Sequence, residues 1–395
     1  LSFRIDVGRA GIGNSEDERI VGRESLMEKF FIVGCPRSGT TMVQQALNRH
    51  SGIVIPPETK FFFSFLGHSR RVQLRHLKRI NNDLRINLPE PDHRIESAPE
   101  ARAFYEAMAG QYIDRLGKKN VVYFGEKTPE HTGHLPRIRQ LFPDAKIIVL
   151  YRDGRDVALS LTKMPWMCPD LYVNFVVWLY YYHVVRKIKL KGHPNFYFAR
   201  YESIVADPAK ELGRLLEFLE LPYESKVADG WGNREGVPER EYAWKEQALH
   251  KITVDRVGVF RRELSTQQIA ILERLGRRAL VALDYDLMTD GKTALSPAFL
   301  LNLSYRFARF AYRLPWHAVV AELFVRLFPL RRLADPTSAE AAGSHGAGHG
   351  PRAFARPLPG ANGAEPVVPV DSTADGCRPG TNGIASDAIK RIVAL

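Results

Sequence analysis

Cysteine is scarce in this 395-residue chain: Cys35, Cys168 and Cys377 are widely spaced and odd in number. They supply no disulfide framework and no Cys-x-x-Cys metal pair, so a reducing, cytoplasmic compartment is expected. Metal-ligand spacing is missing as well. His131 and His134 follow Glu130, but no His-Glu-x-x-His occurs, so both read as helix-start residues and no metal is expected. Long apolar runs are also absent. Residues 171–185 are rich in aromatics, yet they fall short of the ~18–20 residues that a membrane span requires and contain Asn174 and His183. They read as a buried helix. Residues 1–28 are polar with scattered glycines and hold neither an apolar signal core nor a spanning helix.

Hydrophobic residues make up 45% of the chain, enough for a sizeable core, and the length admits one large α/β domain with appendages. Lys and Arg outnumber Asp and Glu by 56 to 44, a net charge of +12 that suits an anionic ligand, nucleic acid or an acidic membrane surface. A soluble surface with excess basic residues fits the same number. From Lys29 onward, strands alternate with helices. Strands are expected over residues 30–33, 53–55, 121–124, 145–152 and 196–200. Helices are expected over 41–48, most of 66–120, a stretch carrying Leu135, Ile138, Leu141 and Phe142, and one bearing Leu212, Leu215, Leu216 and Leu219 after an Asp207-Pro208 cap. Such alternation predicts a three-layer α/β/α domain around a parallel sheet.

Residues 31–41, Phe-Ile-Val-Gly-Cys-Pro-Arg-Ser-Gly-Thr-Thr, carry the most information. An apolar strand runs into a tight turn and hydroxyls open a helix, which is how backbone N–H groups are offered to a phosphate. Gly34 and Gly39 occupy the glycine positions of the Gly-x-x-x-x-Gly-Lys-Ser/Thr loop, with Thr40 and Thr41 where Lys and Ser/Thr would stand. The missing lysine is the group that reaches the outer phosphates of a triphosphate, so a kinase or ATPase fits poorly. A nucleotide anchored by one phosphate, with Arg37 as the nearby cation, fits better. Cys35 reads as a small loop residue, although a thiol in such a loop can have a lowered pKa. An ordinary glycine turn accounts for this stretch equally well when it is taken alone. A second stretch changes the balance. Residues 145–152, Ala-Lys-Ile-Ile-Val-Leu-Tyr-Arg, read as a buried parallel strand, and Asp153-Gly-Arg-Asp-Val-Ala-Leu-Ser160 follows as a turn and helix start. Arg152 thus stands at the carboxyl end of a strand, where open α/β sheets bind ligands, and Ser160 lies two turns into the next helix. By itself, a surface pair of Arg152 with Asp153 or Asp156 is the plainer account.

Together these stretches resemble the family of sulfotransferases that use 3′-phosphoadenosine 5′-phosphosulfate. Pro36-Arg-Ser-Gly-Thr-Thr41 is similar to the family's loop for the 5′-phosphosulfate, and Tyr151-Arg-Asp-Gly-Arg-Asp-Val-Ala-Leu-Ser160 to the segment whose Arg and Ser bind the 3′-phosphate. Pro57-Glu-Thr-Lys60 and Gly125-Glu-Lys-Thr-Pro129 resemble segments flanking the active site in the tyrosyl-protein branch and its bacterial relatives. The resemblance covers roughly residues 29–265. It implies a P-loop nucleotide-kinase-like fold, 3′-phosphoadenosine 5′-phosphosulfate as co-substrate, and transfer of its sulfuryl group to a hydroxyl or amine. It also implies roles. Arg37, Ser38, Gly39, Thr40 and Thr41 cradle the 5′-phosphate, while Arg152 and Ser160 hold the 3′-phosphate. Arg37 and Lys127 stabilise the bridging oxygen, and Glu58 is the base. Tyr201 lines the adenine pocket and Lys251 reaches the 3′-phosphate. Many soluble members carry Lys at the position of Arg37 and use a His base. Arginine stays protonated, so Lys127 is left as the source of any proton to the leaving group. Pairing of Glu58 with Lys60, and of Lys127 with Glu126, would be the bland alternatives.

Acceptor chemistry stays open among a peptide tyrosine, a glycan hydroxyl and a glycolipid, because acceptor pockets are built from variable loops. An ATP-dependent phosphotransferase would need the missing lysine and an acidic Mg²⁺ ligand. A non-catalytic nucleotide-binding module would keep Arg152 and Ser160 and tolerate loss of Glu58. The basic run Arg70, Arg71, Arg75, Lys78 and Arg79 lacks interleaved aromatics, so no nucleic-acid partner is expected. The domain organisation expected is an extension over 1–28, a catalytic domain over 29–290, an amphipathic segment over 291–333 and a low-complexity tail over 334–395. Residues 297–333 alternate apolar residues with arginines, as both an interfacial membrane helix and a peripheral packing helix do. The Ala, Gly, Pro, Ser and His bias after Ala334 leaves too little to bury for order, and the short amphipathic end at 384–395 is too brief to be stable alone.

Overall fold

The computed structural model describes residues 27–191, 193–229, 235–290 and 292–313. All fall within the first of two compact units, Leu1–Ala321. The expectations for 1–26 and 314–395 lie outside the described residues.

Five strands, β1 (Glu28–Gly34), β2 (Ile53–Val54), β3 (Tyr123–Lys127), β4 (Lys146–Tyr151) and β5 (Phe196–Arg200), form one sheet in the order β2-β3-β1-β4-β5. Every pairing is parallel. Strands buried on both faces are continuously apolar, and their alternate side chains enter different layers. Phe31 and Val33 of β1 and Ile147 and Val149 of β4 join one core, while Phe30, Ile32, Ile148 and Leu150 join the other. The first core is covered by α2 (Arg70–Leu84), α3 (Ala98–Leu116) and α4 (Leu135–Leu141), the second by α1 (Thr40–Leu47), α7 (Tyr201–Ala206) and α8 (Pro208–Phe218). The result is the expected three-layer α/β/α domain. A third cluster joins α5 (Gly154–Thr162), α6 (Leu171–Lys191) and α11 (Thr266–Ala282). Two single-turn helices, α9 (Tyr242–Lys245) and α10 (Phe260–Glu263), lie in the connections before α11, and α12 (Pro297–Arg313) closes the described chain.

Two expectations are corrected. The strand expected over 121–124 runs instead from Tyr123 to Lys127, because parallel pairing pulls Gly125, Glu126 and Lys127 against Phe30, Phe31 and Ile32. Tertiary pairing overrides the poor strand propensity of Gly, Glu and Lys there. The helical stretch of 66–120 is broken between α2 and α3. Pro89 and Pro91 lack the N–H that a helix needs. The extended segment is held by amides of α2: Leu88 N–H donates to Asn81 Oδ1 (3.0 Å) and Ile95 N–H to Gln73 Oε1 (3.0 Å).

Among the described residues, no helix is long and apolar enough to cross a membrane. The first half of the 297–333 segment is α12, which sets Leu303 in a cluster with Val173 and Val176, flanked by Phe299, Phe307 and Phe310. Arg306 pairs with Asp170 just ahead of α6. In this portion the apolar stripe packs on α6.

Candidate active site

Register decides what meets at the carboxyl edge of the sheet. Ile32 is opposite Lys127 on one side of β1, and Gly34 is opposite Leu150 on the other. Three neighbouring strands therefore deliver Lys127, the loop after Gly34 and Arg152 to the same edge, the position where open α/β sheets bind ligands.

The loop is built for close approach. Gly34 has φ +146°, and a Cβ there would stand 2.2 Å from the Leu150 carbonyl oxygen. Arg37 (φ 72°) and Gly39 (φ 92°) are both left-handed, curling the backbone between them. No side chain caps α1, unlike α3 and α11, whose first turns are closed by the Ser97–Glu100 and Ser265–Gln268 capping boxes. The uncapped N–H groups of α1 and the positive end of its dipole thus face the loop.

The two motifs meet side chain to side chain. Arg37 Nε donates to Ser160 Oγ (3.1 Å), and Arg152 Nη1 donates to the Arg37 carbonyl (3.2 Å). The Arg152 guanidinium lies 4.3 Å over the Tyr201 ring, and a Cβ on Gly39 would stand 2.5 Å from that ring. Arg37, Ser38, Gly39, Thr40, Arg152, Ser160 and Tyr201 are therefore one cluster. Burial, with Arg152 and Arg256 nearby, brings the Arg37 guanidinium down to about 10. Ser38 Oγ and Arg152 Nε are buried without a hydrogen-bond partner. Crowded cations beside orphaned donors are the chemistry of an anion cradle, and a phosphorylated nucleotide fits it. Arg152 also stands 3.5 Å from Asp156, so the pair anticipated for it is present. Asp156 meanwhile accepts from the backbone of Gly258 (2.8 Å) and Phe260 (2.9 Å).

Lys127 leaves the sheet on the other side of β1 from Arg152. Its Nζ, fully buried, donates to Thr41 Oγ1 (3.3 Å) and to Glu58 Oε1. Lys245 donates to that same Oε1 at 2.7 Å. Both ammonium bonds fall on one carboxylate oxygen, and no bond to Oε2 is seen among the described residues. Although burial alone would raise it, the Glu58 carboxyl is held well below its usual range by Lys127, Lys245 and Lys60. Burial lowers the Lys127 ammonium to about 8. The alternatives of Glu58–Lys60 and Lys127–Glu126 pairing give way to these contacts: Lys60 bonds Glu130 (3.3 Å) and Glu126 turns into the core. There Glu126 accepts from Tyr105 (2.9 Å), Thr128 (3.2 Å) and Thr59, and burial raises its carboxyl to about 7. Phe62 N–H donates to His131 Nε2 (3.2 Å), which leaves the ring proton on Nδ1, 3.7 Å from Glu126. This polar knot anchors Thr59, the neighbour of Glu58. Among the described residues no cluster of His, Cys, Asp and Glu suits a metal ion.

The trio Glu58, Lys127 and Arg37 thus divides into a Glu58–Lys127 pair and an arginine grouped with Arg152 and Ser160. Lys251 is exposed, and no contact among the described residues joins it to the cradle. Arg256 comes there instead, its carbonyl accepting from Arg152. The sequence reading missed Arg256 and Lys245, since nothing in their neighbours marks them. Cys35 is buried in the loop, and burial pushes its thiol well up, the opposite of activation. Arg155 is also structural, held by Asp153 (2.7 Å) and Glu273 (2.5 Å).

The loop after Gly34 and Arg152, at adjacent strand ends, thus set uncapped helix N–H groups and crowded cations at the carboxyl edge of a parallel α/β sheet. A model described as the sulfotransferase family matches residues 29–225, and the chain belongs to that family. It is 26% identical over 281 residues to nodulation protein NoeE of Sinorhizobium fredii, covering 65% of each chain. It is 26% identical over 210 residues to protein-tyrosine sulfotransferase A of Caenorhabditis elegans, covering 50% of this chain and 51% of the relative. The chain therefore spans less than two thirds of these relatives. A solved sulfotransferase domain from the curacin biosynthetic pathway aligns with a TM-score of 0.41 at 18% identity, covering 66% of this chain and 99% of that domain.

Proposed function

We propose that the protein transfers a sulfuryl group from 3′-phosphoadenosine 5′-phosphosulfate to an acceptor hydroxyl. The observation that carries this reading is the meeting of the two anion motifs, with Arg37 on Ser160 and Arg152 on the loop carbonyl, next to the Glu58–Lys127 pair. Backbone N–H groups of the loop, with the Ser38, Thr40 and Thr41 hydroxyls, hold the 5′-phosphate. Arg152 and Ser160 hold the 3′-phosphate, and Tyr201 walls the adenosine. Membership of the sulfotransferase family and the absence of the triphosphate lysine support this donor over ATP.

Glu58 Oε2 takes the acceptor proton while the acceptor oxygen bonds sulfur in line with the breaking S–O bond. Lys127 neutralises the bridging oxygen that departs with 3′,5′-adenosine bisphosphate. With its pKa brought down to about 8, Lys127 also has a proton to give near neutral pH, which Arg37 does not. Arg37 contributes charge only.

Calorimetric titration tests the donor. 3′,5′-Adenosine bisphosphate should bind at one site, with ATP far weaker. A charged hydrogen bond is worth roughly 1.5–3 kcal/mol, so Arg152→Ala should weaken the bisphosphate by ~10- to 100-fold. Equal affinity for adenosine 5′-phosphate and the bisphosphate would remove the case for a 3′-phosphate site.

A further inference from the structure

Beside Glu58 the surface opens into a cleft of about 450 Å³, which Pro57 helps to line. That volume lies within the ~300–1,000 Å³ range of small-molecule sites. Its charged lining comprises three arginines, Arg85, Arg115 and Arg240, and three carboxylates, Asp83, Glu235 and Glu239. Each cation has its own anion. Arg115 meets Glu235 at 2.5 Å, Arg85 meets Glu239 at 3.3 Å, and Arg240 Nη2 meets Asp83 Oδ2 at 2.7 Å. Among the described residues the wall is densely charged yet neutral in sum.

The cleft is also wired to the base. Asp83 accepts from Arg79 Nε (3.1 Å), whose Nη2 donates to the Glu58 carbonyl (2.6 Å). Lys245 joins Glu58 (2.7 Å) to Glu241 (2.5 Å), and Glu241 stands 3.5 Å from Arg240. One chain of ion pairs, Arg240–Glu241–Lys245, therefore runs from the wall to the carboxylate that receives the acceptor proton, and a second, Asp83–Arg79, ends on the backbone carbonyl of the same residue.

We propose that this cleft is the acceptor subsite and that it takes a neutral, polyhydroxylated acceptor, a carbohydrate, with one hydroxyl directed at Glu58. The inference rests on the sulfuryl-transfer reading. Among the described residues of the wall, an anionic acceptor finds no surplus arginine, because each is already matched, and a cationic one finds no surplus carboxylate. An apolar acceptor would strip water from paired charges without replacing their hydrogen bonds. A sugar hydroxyl both donates and accepts, so it bonds the carboxylate and the guanidinium of one pair together while both keep their charge. Asn82 adds an amide of the same dual character, and Tyr242 adds an aromatic ring. In the step itself, the chosen hydroxyl oxygen forms the new S–O bond, its proton passes to Glu58, and the bisphosphate leaves with the electron pair of the broken bond.

Transfer of ³⁵S from labelled donor would be measured with four neutral tetrasaccharides of glucose, galactose, mannose and N-acetylglucosamine, an acidic tyrosine peptide and 4-nitrophenol. At least one saccharide should have the highest kcat/KM, with a KM that changes less than ~2-fold between 50 and 300 mM salt because no net charge is screened. Arg85→Gln and Glu239→Gln alter exposed side chains that the fold tolerates, and each should raise the saccharide KM by ~10-fold. Bisphosphate affinity, measured on each variant, reports that the domain remains intact. Preference for the peptide or the phenol, or donor binding with no saccharide transfer, overturns the cleft assignment and leaves sulfuryl transfer standing. Failure to bind 3′,5′-adenosine bisphosphate sinks sulfuryl transfer itself, and the acceptor assignment with it.

Discussion

Glu58 carries two ammonium bonds on one oxygen, so it is ionised throughout the neutral range and its basicity is set by Lys127 and Lys245. Glu58→Gln keeps size and hydrogen bonding and removes the proposed base. Turnover should fall by ~10²–10⁴-fold with bisphosphate affinity little changed. Near-normal turnover with saturating acceptor would make Glu58 structural. The flanking lysines predict the pH profile. A base works above its pKa, so Lys245→Ala, which removes one cation and lets the Glu58 pKa rise, should move the acid limb of kcat/KM to higher pH. In the proposed role Lys127 donates only while protonated, so activity should decline as pH rises through about 8. Lys127→Arg should abolish that decline, since arginine stays charged, while lowering turnover. An alkaline limb unchanged in this variant would assign the titration to another group.

At the scale of the element, the strand–loop–helix is the part most exposed to small changes. A methyl on Gly39 would have to accept φ 92° and stand 2.5 Å from the Tyr201 ring. Gly39→Ala should therefore cost ~1–3 kcal/mol in strain, visible as a lower melting temperature together with weaker bisphosphate binding. Adding Tyr201→Ala should relieve the steric part of that stability loss, so a strictly additive double mutant would disprove the contact. Ser97→Ala, which removes the α3 cap, should cost ~0.5–2 kcal/mol of stability and leave bisphosphate affinity unchanged. α1 has an open N-terminus where a ligand is expected, whereas the first turn of α3 is closed by its capping box.

For the molecule as a whole, the question is how α12 serves the domain. An amphipathic sequence cannot say whether its apolar stripe meets protein or lipid, since both offer the same hydrocarbon surface. In the structure Leu303 is 5% exposed against α6, while Leu301 is 74% exposed. Leu303→Ala should lower stability by ~2–5 kcal/mol, and Leu301→Ala should change it by less than ~0.5 kcal/mol. Equal, negligible effects would mean that the packing on α6 contributes nothing. The sequence expectation left this choice open for 297–333; within the described part, 297–313, contacts with residues more than a hundred positions away in the chain seat Leu303 on α6.

Local chemistry was sufficient for what the sequence by itself determined. The apolar runs at 30–33 and 146–151 dictate buried parallel strands, the glycines and hydroxyls of residues 34–41 dictate a tight turn into a helix, and Asp207-Pro208 dictates a helix start. Each property is carried by neighbours a few residues apart, so it is written in the chain. What only the tertiary structure decided depends on long-range pairing. Parallel register extended β3 through Glu126 and Lys127 against propensity, which set Lys127 at the sheet edge and turned Glu126 inward to Tyr105. The same closure brought Lys245 to Glu58 and Arg256 to Arg37 across about two hundred residues of chain. No local signal marks such cations, because their role comes from the buried charge they meet, and that meeting exists only once the sheet has formed.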